Sequence, residues 1–458
     1  MRSLVSVHAH GLLGQFDHRI HFPANSSFVV LHGPNGVGKT KLLELINGTF
    51  SLDLGLIDDL PFESVDFEFD DESFLSVIKT SDQEPIFPIG QPDLKNLAAD
   101  FSFYFKLTFG REKPRIWTPE LSGQDSPIEM FRRLPREFRL KTGVASSKIS
   151  WRELQRVWAR HTSSAGEGSN LALEIAPSWL SEYLAETPVH LIETQRLYVF
   201  GDDGTPATVG REAERRNRKS TVTEYAQDLS RQISVALARN SRTSQQLDGS
   251  FPRRVLNEPP PGQDVTDDFI RKRYAEQNEL REALNEIAVL DDQDDLPLPG
   301  EKLETWQRRV LWIYLGDTDA KLATFKHLLD RITLMKDIVN SRFLNKELVI
   351  DRDRGFRFQN RLVQDIDPVQ LSSGEQHELV LMYDLLFNVR EHSVVLIDEP
   401  EISLHIVWQQ KFLEDIERIA AISNLRFIVA THSPQIVHKW WSRTIALGAD
   451  VDEEFLRP

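Results

Sequence analysis

Apolar positions along this chain change period from one stretch to the next, and each period predicts an element. Leu4 to His8 alternates weakly, while Phe28-Val29-Val30-Leu31 is an unbroken apolar run, as in a strand buried on both faces. A glycine-rich turn spans His32 to Thr40, and Lys41-Leu42-Leu43-Glu44-Leu45-Ile46 continues with helical spacing. Further on, SVDFEFDDESFLSVI and FSFYFKLTFG alternate with period two, as half-exposed antiparallel strands do. SPIEMFRRL and SWRELQRVWARH read as short surface helices, and His190 to Phe200 as a buried strand entering a polar turn.

Residues 201–220, GDDGTPATVGREAERRNRKS, combine glycines with a basic run and read as a mobile loop. Downstream, Phe269, Arg273, Gln277, Leu280, Leu284 and Ile287 share one helical stripe, which DDQDDLPLPG (Asp291 to Gly300) interrupts. A second stripe carries Leu322, Phe325, Leu329, Ile332, Met335 and Val339. The two stripes predict either a short antiparallel helical hairpin or coiled coil, or an ordinary helical subdomain; they are too interrupted for a long rod. Beyond residue 345, ELVIDRD, GFRFQN, SVVLIDEP, LRFIVATHS and TIALG alternate with helical stretches, one of them from Gly374. No internal repeat occurs. The expected organisation is a first lobe over 1–200 with a β-rich insertion, a loop and helical insertion over 201–345, and a second lobe over 346–458.

Composition narrows the class. A chain of 458 residues has room for about two to four domains. Its 54 basic and 70 acidic side chains leave a net charge of −16, a surface that on average repels a phosphate backbone. With no cysteine, thiolate zinc sites, iron–sulfur clusters, disulfides and a cysteine nucleophile are excluded. The first residues lack the apolar core of a secretory signal, and no run of about 18 apolar residues occurs, so a soluble, cytoplasmic protein without a membrane span is expected.

One motif carries chemistry on its own residues, and a second, which alone reads as an acidic strand-end loop, carries it when coupled to the first. Gly33-Pro34-Asn35-Gly36-Val37-Gly38-Lys39-Thr40 matches the P-loop pattern G-x-x-x-x-G-K-[ST] at every fixed position. Its glycines let backbone N–H groups curl round a polyphosphate, Lys39 reaches the outer phosphates, Thr40 offers a hydroxyl to Mg²⁺, and a helix start faces the same anion. Val394-Val395-Leu396-Ile397-Asp398-Glu399 sets two acids at the end of a buried strand, where open α/β sheets hold ligands. Asp398 suits Mg²⁺, and Glu399 suits the orientation or deprotonation of water.

Leu371-Ser372-Ser373-Gly374-Glu375-Gln376 is locally either a plain serine N-cap or an anion-binding helix start. Lying 26 residues before Asp398 (398 − 372), it resembles the L-S-G-G-Q signature of ATP-binding-cassette (ABC) ATPases, with Ser373 and Glu375 as departures. The L-S-S-G-E form is similar to the variant of SMC-like ATPases and their bacterial defence relatives. Ala430-Thr431-His432-Ser433 resembles the switch-histidine segment of the same superfamily. The fold this resemblance implies is α/β: an ABC-type two-lobed P-loop ATPase head with a mixed sheet, an antiparallel β layer and an inserted helical hairpin or short coiled coil. It implies ATP and Mg²⁺ as cofactors and a head-to-tail homodimer in which Ser372 and Gly374 of one chain close over the γ-phosphate held by the other. It makes His432 a γ-phosphate sensor. Gln195 becomes either the glutamine that touches Mg²⁺ and the attacking water or a surface turn, and Ser403-Leu404-His405 a dimer-contacting loop. Phe16 is either core or an adenine-stacking ring.

GLLGQFDHRIHF, LIETQRL and ATHSPQIV extend the resemblance to stand-alone ATPase subunits of bacterial antiphage systems, most of all the ATPase component of PARIS and next the Septu ATPase. That resemblance implies a scaffold and sensor, a homodimer or higher ring. It would hold a separate nuclease or toxin effector, TOPRIM-type if PARIS-like, until a phage-encoded trigger arrives. The 25 residues after Ser433 are too few for a TOPRIM domain, and no HNH or H-E-x-x-H cluster occurs, so cutting is expected of another chain. The competing reading is a DNA-maintenance ATPase of the SMC or RecF kind that clamps duplex DNA. For it, Arg211, Arg215, Arg216, Arg218 and Lys219 would line a DNA-facing groove; the alternative is a solvated loop with Glu212 and Glu214 interspersed. A transporter subunit is disfavoured by the central insertion and the variant signature.

Overall fold

Period-two alternation builds the first sheet. β1 (Leu4–Leu12) buries Leu4, Val7, Ala9 and Leu12, then turns through Leu13 and Gly14, both at positive φ, into β2 (Phe16–His21). β3 (Phe28–His32) leaves this layer and is followed by α1 (Lys39–Ser51) and α2 (Leu54–Asp59). β4 (Ser64–Phe69), β5 (Ser73–Lys79), β6 (Phe103–Phe109) and β7 (Arg115–Trp117) then complete a six-stranded antiparallel sheet of order β2-β1-β4-β5-β6-β7. Its inner face sets Val65, Phe67, Leu75, Val77, Phe103 and Phe105 into one core with Leu42, Leu43, Ile46 and Phe50 of α1. Leu180, Tyr183 and Leu184 of α3 (Ser178–Ala185) join that core, and each such side chain contributes roughly 1.5–3 kcal/mol by leaving water. β8 (Val189–Glu193) closes this part of the chain. The computed structural model describes residues 2–23, 26–79, 103–119, 176–193, 211–258, 262, 265–289, 298, 300, 302–402 and 404–448. The helices expected in SPIEMFRRL and SWRELQRVWARH, and Gln195, lie outside these residues.

The chain divides into two units, Met1–Arg196 with Val389–Pro458, and Leu197–Asn388. The second unit opens on α4 (Arg211–Asn257), a helix of 47 residues. Residues 211–220 are therefore helical, which corrects that half of the loop expected for 201–220; residues 201–210 lie outside the described residues. No glycine or proline falls between Arg211 and Arg239, and Arg, Glu, Ala and Lys there are strong helix formers; composition dominated by charge hid the propensity. α5 (Asp267–Glu286) and α6 (Thr305–Arg342) follow, the latter 38 residues long and started by a reciprocal Glu304/Gln307 capping box. The second stripe is buried as expected, whereas in α5 the inward register is Ile270, Gln277 and Leu284, with Phe269 46% exposed. Among the described residues three long helices precede the small sheet, the second of the two expected arrangements, a helical subdomain. α6 is tied to α4 by the paired bonds from Arg254 to Asp317 (2.5 and 2.6 Å), and to α5 by Gln277 Nε2 donating to the Leu315 carbonyl at 2.7 Å.

β9 (Lys346–Asp351), β10 (Gly355–Asn360) and β11 (Asp365–Ile366) form a small antiparallel sheet beside these helices. Gly355, at φ +79°, lies where a Cβ would collide with the Ala226 carbonyl of α4, so only glycine lets β10 and α4 approach so closely. α7 (Ser373–Tyr383) then runs into a π-helical turn over Asp384–Asn388. Segment 346–388 thus belongs with the helices and not with 389–458, a correction to the expected second lobe over 346–458. Arg342 of α6 and Glu378 of α7 form an ion pair with side chains 2% and 0% exposed, which fixes α7 to this unit.

The remaining residues return to the first unit. β12 (Val394–Asp398), α8 (Ile406–Ser423), β13 (Arg426–Ala430), α9 (Pro434–Val437) and β14 (Thr444–Ala446) complete a five-stranded sheet of order β14-β3-β13-β12-β8. Every pairing in it is parallel. Val29, Val30, Leu31, Leu396, Ile397, Ile428 and Val429 are completely buried, which is why these strands read as unbroken apolar runs. The fold is the expected class, an α/β P-loop head with an antiparallel β layer and an inserted helical segment. Among the described residues no helix is long and apolar enough to cross a membrane.

Candidate functional site

Parallel pairing delivers the motifs to one edge. β3, β13 and β12 are consecutive neighbours, so Gly33–Thr40, Thr431-His432 and Asp398-Glu399 all follow the carboxyl ends of adjacent strands. Gly36 and Gly38 sit at φ +90° and +86°; open space surrounds a Cβ built on Gly36, so the backbone angle rather than crowding demands glycine there. Gly33 is different, because a Cβ on it would lie 2.5 Å from the Leu447 carbonyl oxygen.

Lys39 is buried, and its ammonium donates to the carbonyls of Gly33 (2.9 Å) and Pro34 (3.1 Å) and to His432 Nδ1 (3.3 Å). An ammonium has donors only, so the neutral His432 ring offers it the Nδ1 lone pair and keeps its proton on Nε2, 3.7 Å from Glu399 Oε1. Burial pulls the Lys39 amine below the usual lysine range, against the opposing pull of Glu399, Asp398 and Glu401. Burial, with Lys39 nearby, likewise lowers the His32 ring. Thr40 donates its hydroxyl to Asp398 Oδ2 at 2.9 Å. Glu399 holds a left-handed φ of +47° while its amide donates to the Ala430 carbonyl at 2.8 Å, so β12 turns sharply as it leaves the sheet.

The residues present fit a nucleoside triphosphate with a hard cation. α1 begins at Lys39 with no side-chain cap and no acid in its first turn, so its leading amides face the loop without a competing carboxylate. A threonine hydroxyl beside an aspartate is an oxygen donor set suited to Mg²⁺.

Of the other sequence candidates, Pro34 and Asn35 are exposed in the loop. Phe16 is half-buried at the start of β2 and stacks on His18, with ring centroids 5.7 Å apart. Ser372 and Gly374 belong to the second unit. There Ser372 caps α7: its hydroxyl accepts the Glu375 amide at 3.4 Å, and its own amide donates to Glu375 Oε2 at 2.7 Å. Lys346 donates to both Glu375 oxygens, at 2.8 and 2.7 Å. Burial pushes the Glu375 carboxyl up, but Lys346 and the Ser372 donors outweigh it and hold the group below the usual glutamate range. The acid that departs from the signature pattern is therefore the residue that locks the serine cap.

Sequence reasoning missed two residues of this edge. Glu401 accepts the Thr431 hydroxyl on Oε2 and the His432 amide on Oε1, each at 2.7 Å. His18, 2% exposed, bonds through Nε2 to the Val37 carbonyl of the P-loop at 2.7 Å. The run Asp398-Glu399-Pro400-Glu401 offered a signal for the first; nothing local marked His18.

Residues 226–438 match the family model described as "AAA domain, putative AbiEii toxin, Type IV TA system", a span that contains Ser372, Asp398, Glu399 and His432 but not the P-loop. The chain is 38% identical over 90 residues to "Retron Ec83 probable ATPase" of Escherichia coli, covering 17% of this chain and 16% of that protein. It is 32% identical over 88 residues to "Retron Vc95 probable ATPase" of Vibrio cholerae serotype O1 biovar El Tor, covering 19% and 17%. The match thus spans about a sixth of the length of these curated relatives. Among solved structures, the Smc head domain with an extended coiled coil from Pyrococcus furiosus aligns over 97% of this chain and 93% of its own, at 12% identity and a TM-score of 0.33. A score that low carries no weight, and the fold rests on strand order and loop geometry.

Proposed function

We propose that this chain binds ATP with Mg²⁺ and hydrolyses it as the scaffold and sensor subunit of a bacterial antiphage defence complex. The observation that carries the ATPase reading is the convergence of Lys39, Thr40, Asp398, Glu399 and His432 at one sheet edge, at the distances given above. The P-loop amides and Lys39 bind the phosphates, Thr40 and Asp398 hold the cation, Glu399 orients water and takes its proton, and His432 stands where a terminal phosphate is read. The bound cation supplies charge neutralisation at the transferred phosphoryl group. Gln195 is assigned to the same cation and water. The defence role is supported by the resemblance of the motifs to antiphage ATPases and by the local likeness to two retron ATPases. On that reading a PARIS-like, next a Septu-like, system is the nearest model, with a separate nuclease or toxin as the effector held and released.

The site is completed in a head-to-tail homodimer, where Ser372 and Gly374 at the start of α7 meet the phosphate bound by the partner's P-loop. A helix start aimed at a terminal phosphate separates ATP from ADP by one charged group, so assembly follows nucleotide state. Mixing Ser372→Arg chains with Lys39→Ala chains tests this. Half of randomly formed dimers are mixed and each keeps one of two sites, so about a quarter of parental turnover should return. Two inactive chains that still dimerise but show no recovery would end the shared-site reading.

A further inference from the structure

Glu401 has no part in the proposed hydrolytic set, yet both of its carboxylate oxygens are engaged at the sheet edge. It sits in the short turn Pro400–Ile402 that follows β12, and both oxygens accept bonds of 2.7 Å, from the fully buried Thr431 and from the His432 amide. Around these bonds a closed ring of contacts forms. The Ser433 amide donates to Thr431 Oγ1 (2.9 Å), and the Ser433 hydroxyl to Gln409 Oε1 of α8 (2.8 Å). Gln409 Nε2 returns to the carbonyls of Glu401 (3.3 Å) and Leu404 (3.1 Å). The turn after β12, the first turn of α8 and the segment after β13 are therefore bonded to one another as one network. His432 is the member of that network whose ring reaches Lys39 and Glu399.

We infer that Glu401 is a positioning residue, one that sets the switch histidine against Lys39 and Glu399 and couples it to the strand carrying both acids. The inference rests on the ATPase reading above. A general-base role for Glu401 itself is disfavoured by chemistry: its ionised form is the one both donors bind, so protonating either oxygen would remove the charge that strengthens the bonds to the switch segment. The function of the carboxylate is geometric, and a glutamine can imitate it. A glutamine amide oxygen accepts the His432 N–H, while its NH₂ donates to the Thr431 oxygen.

The test compares Glu401→Gln, Glu401→Ala and Thr431→Val in the full chain, with Lys39→Ala as the blank. Turnover in Glu401→Gln should stay within about threefold of parental, and Glu401→Ala should lose about 10–100-fold in kcat with KM within about twofold. Thr431→Val should lose less, and combined with Glu401→Ala should add nothing, because both break one network. In the nucleotide-free chain, Glu401→Ala should speed hydrogen exchange of the His432 amide about tenfold or more while β13 keeps its protection. Should Glu401→Ala fail to fold, Thr431→Val and the exchange rate of the His432 amide in Glu401→Gln carry the comparison. Glu401→Gln as inactive as Glu399→Gln would make Glu401 a proton acceptor and overturn the inference. So would Glu401→Ala with parental kcat, a rise in KM alone, or an unchanged His432 exchange rate. Parental turnover no higher than the Lys39→Ala blank would instead remove the ATPase reading, a different failure.

Discussion

Lys39 donates to two loop carbonyls and an imidazole, contacts that set its ammonium against the P-loop and that, on the proposed function, it exchanges in part for phosphate oxygens. Removing it costs charge-assisted bonds to phosphate, so Lys39→Ala should weaken ATP binding by roughly 10–100-fold in a fluorescence titration. Glu399 is a different case. Its left-handed φ belongs to the turn and survives replacement by glutamine, so Glu399→Gln alters chemistry without moving backbone. Binding should stay within about threefold while single-turnover hydrolysis falls by roughly 10²–10⁴, the usual worth of a general base. Parental turnover in that variant would mean that water is activated elsewhere. The P-loop and the two acids were legible because their residue types sit at fixed short spacings. Glu401 and His18 were not, because their partners lie 30 positions (Thr431) and 19 positions (Val37) away, a separation no local pattern encodes.

Among elements, those legible in the sequence are the ones whose environment is uniform along their length. Strands buried on both faces read as apolar runs, and strands buried on one face read as alternation; β3, β12, β13, β4 and β5 all follow. α4 escaped because its opening is charged on most positions and carries little apolar signal, while its neighbours Gly201, Gly204 and Gly210 suggested a loop. α7 shows how a departure from a motif becomes structure. Glu375 closes the capping box on Ser372 and pairs with Lys346 of β9, so the start of this helix is fastened to the adjacent strand. Its carboxyl is held below the ordinary value of 4.5, and a depressed carboxyl stabilises the fold above that value and loses the contribution as pH falls through its own lower one. Glu375→Gln should therefore be less stable than the parent by about 1–2 kcal/mol near neutrality, the scale of a partly screened charge-assisted bond. Urea unfolding of both proteins as the pH is lowered towards and below 4.5 should show the gap closing from neutrality downward. A gap independent of pH would assign the effect to packing instead of charge.

At the scale of the whole molecule, the order of strands in the parallel sheet determines when a nucleotide site can exist. β3, which carries the P-loop, pairs only with β13 and β14, and β8 pairs with β12. All three partners lie beyond residue 388, on the far side of a unit of nearly two hundred residues. The described strands of the antiparallel sheet all lie before residue 118, and those of the small sheet β9-β10-β11 all lie within the second unit. A chain ending at residue 388 therefore keeps the P-loop sequence but leaves β3 with neither neighbour, and a lone strand cannot satisfy its backbone groups. Such long-range pairing is also slow to form, because loop closure must precede the contacts that reward it. In hydrogen exchange of that truncated chain, amides of Phe28–His32 and Val189–Glu193 should exchange like unstructured peptide, with ATP binding lost. Amides of Leu348–Ile350 and Phe356–Phe358 should stay protected, because their ladder is intact. Slow exchange across Phe28–His32 would mean that β3 finds a partner other than β13 and β14, and that the P-loop is shaped before the strands bearing Asp398 and His432 arrive.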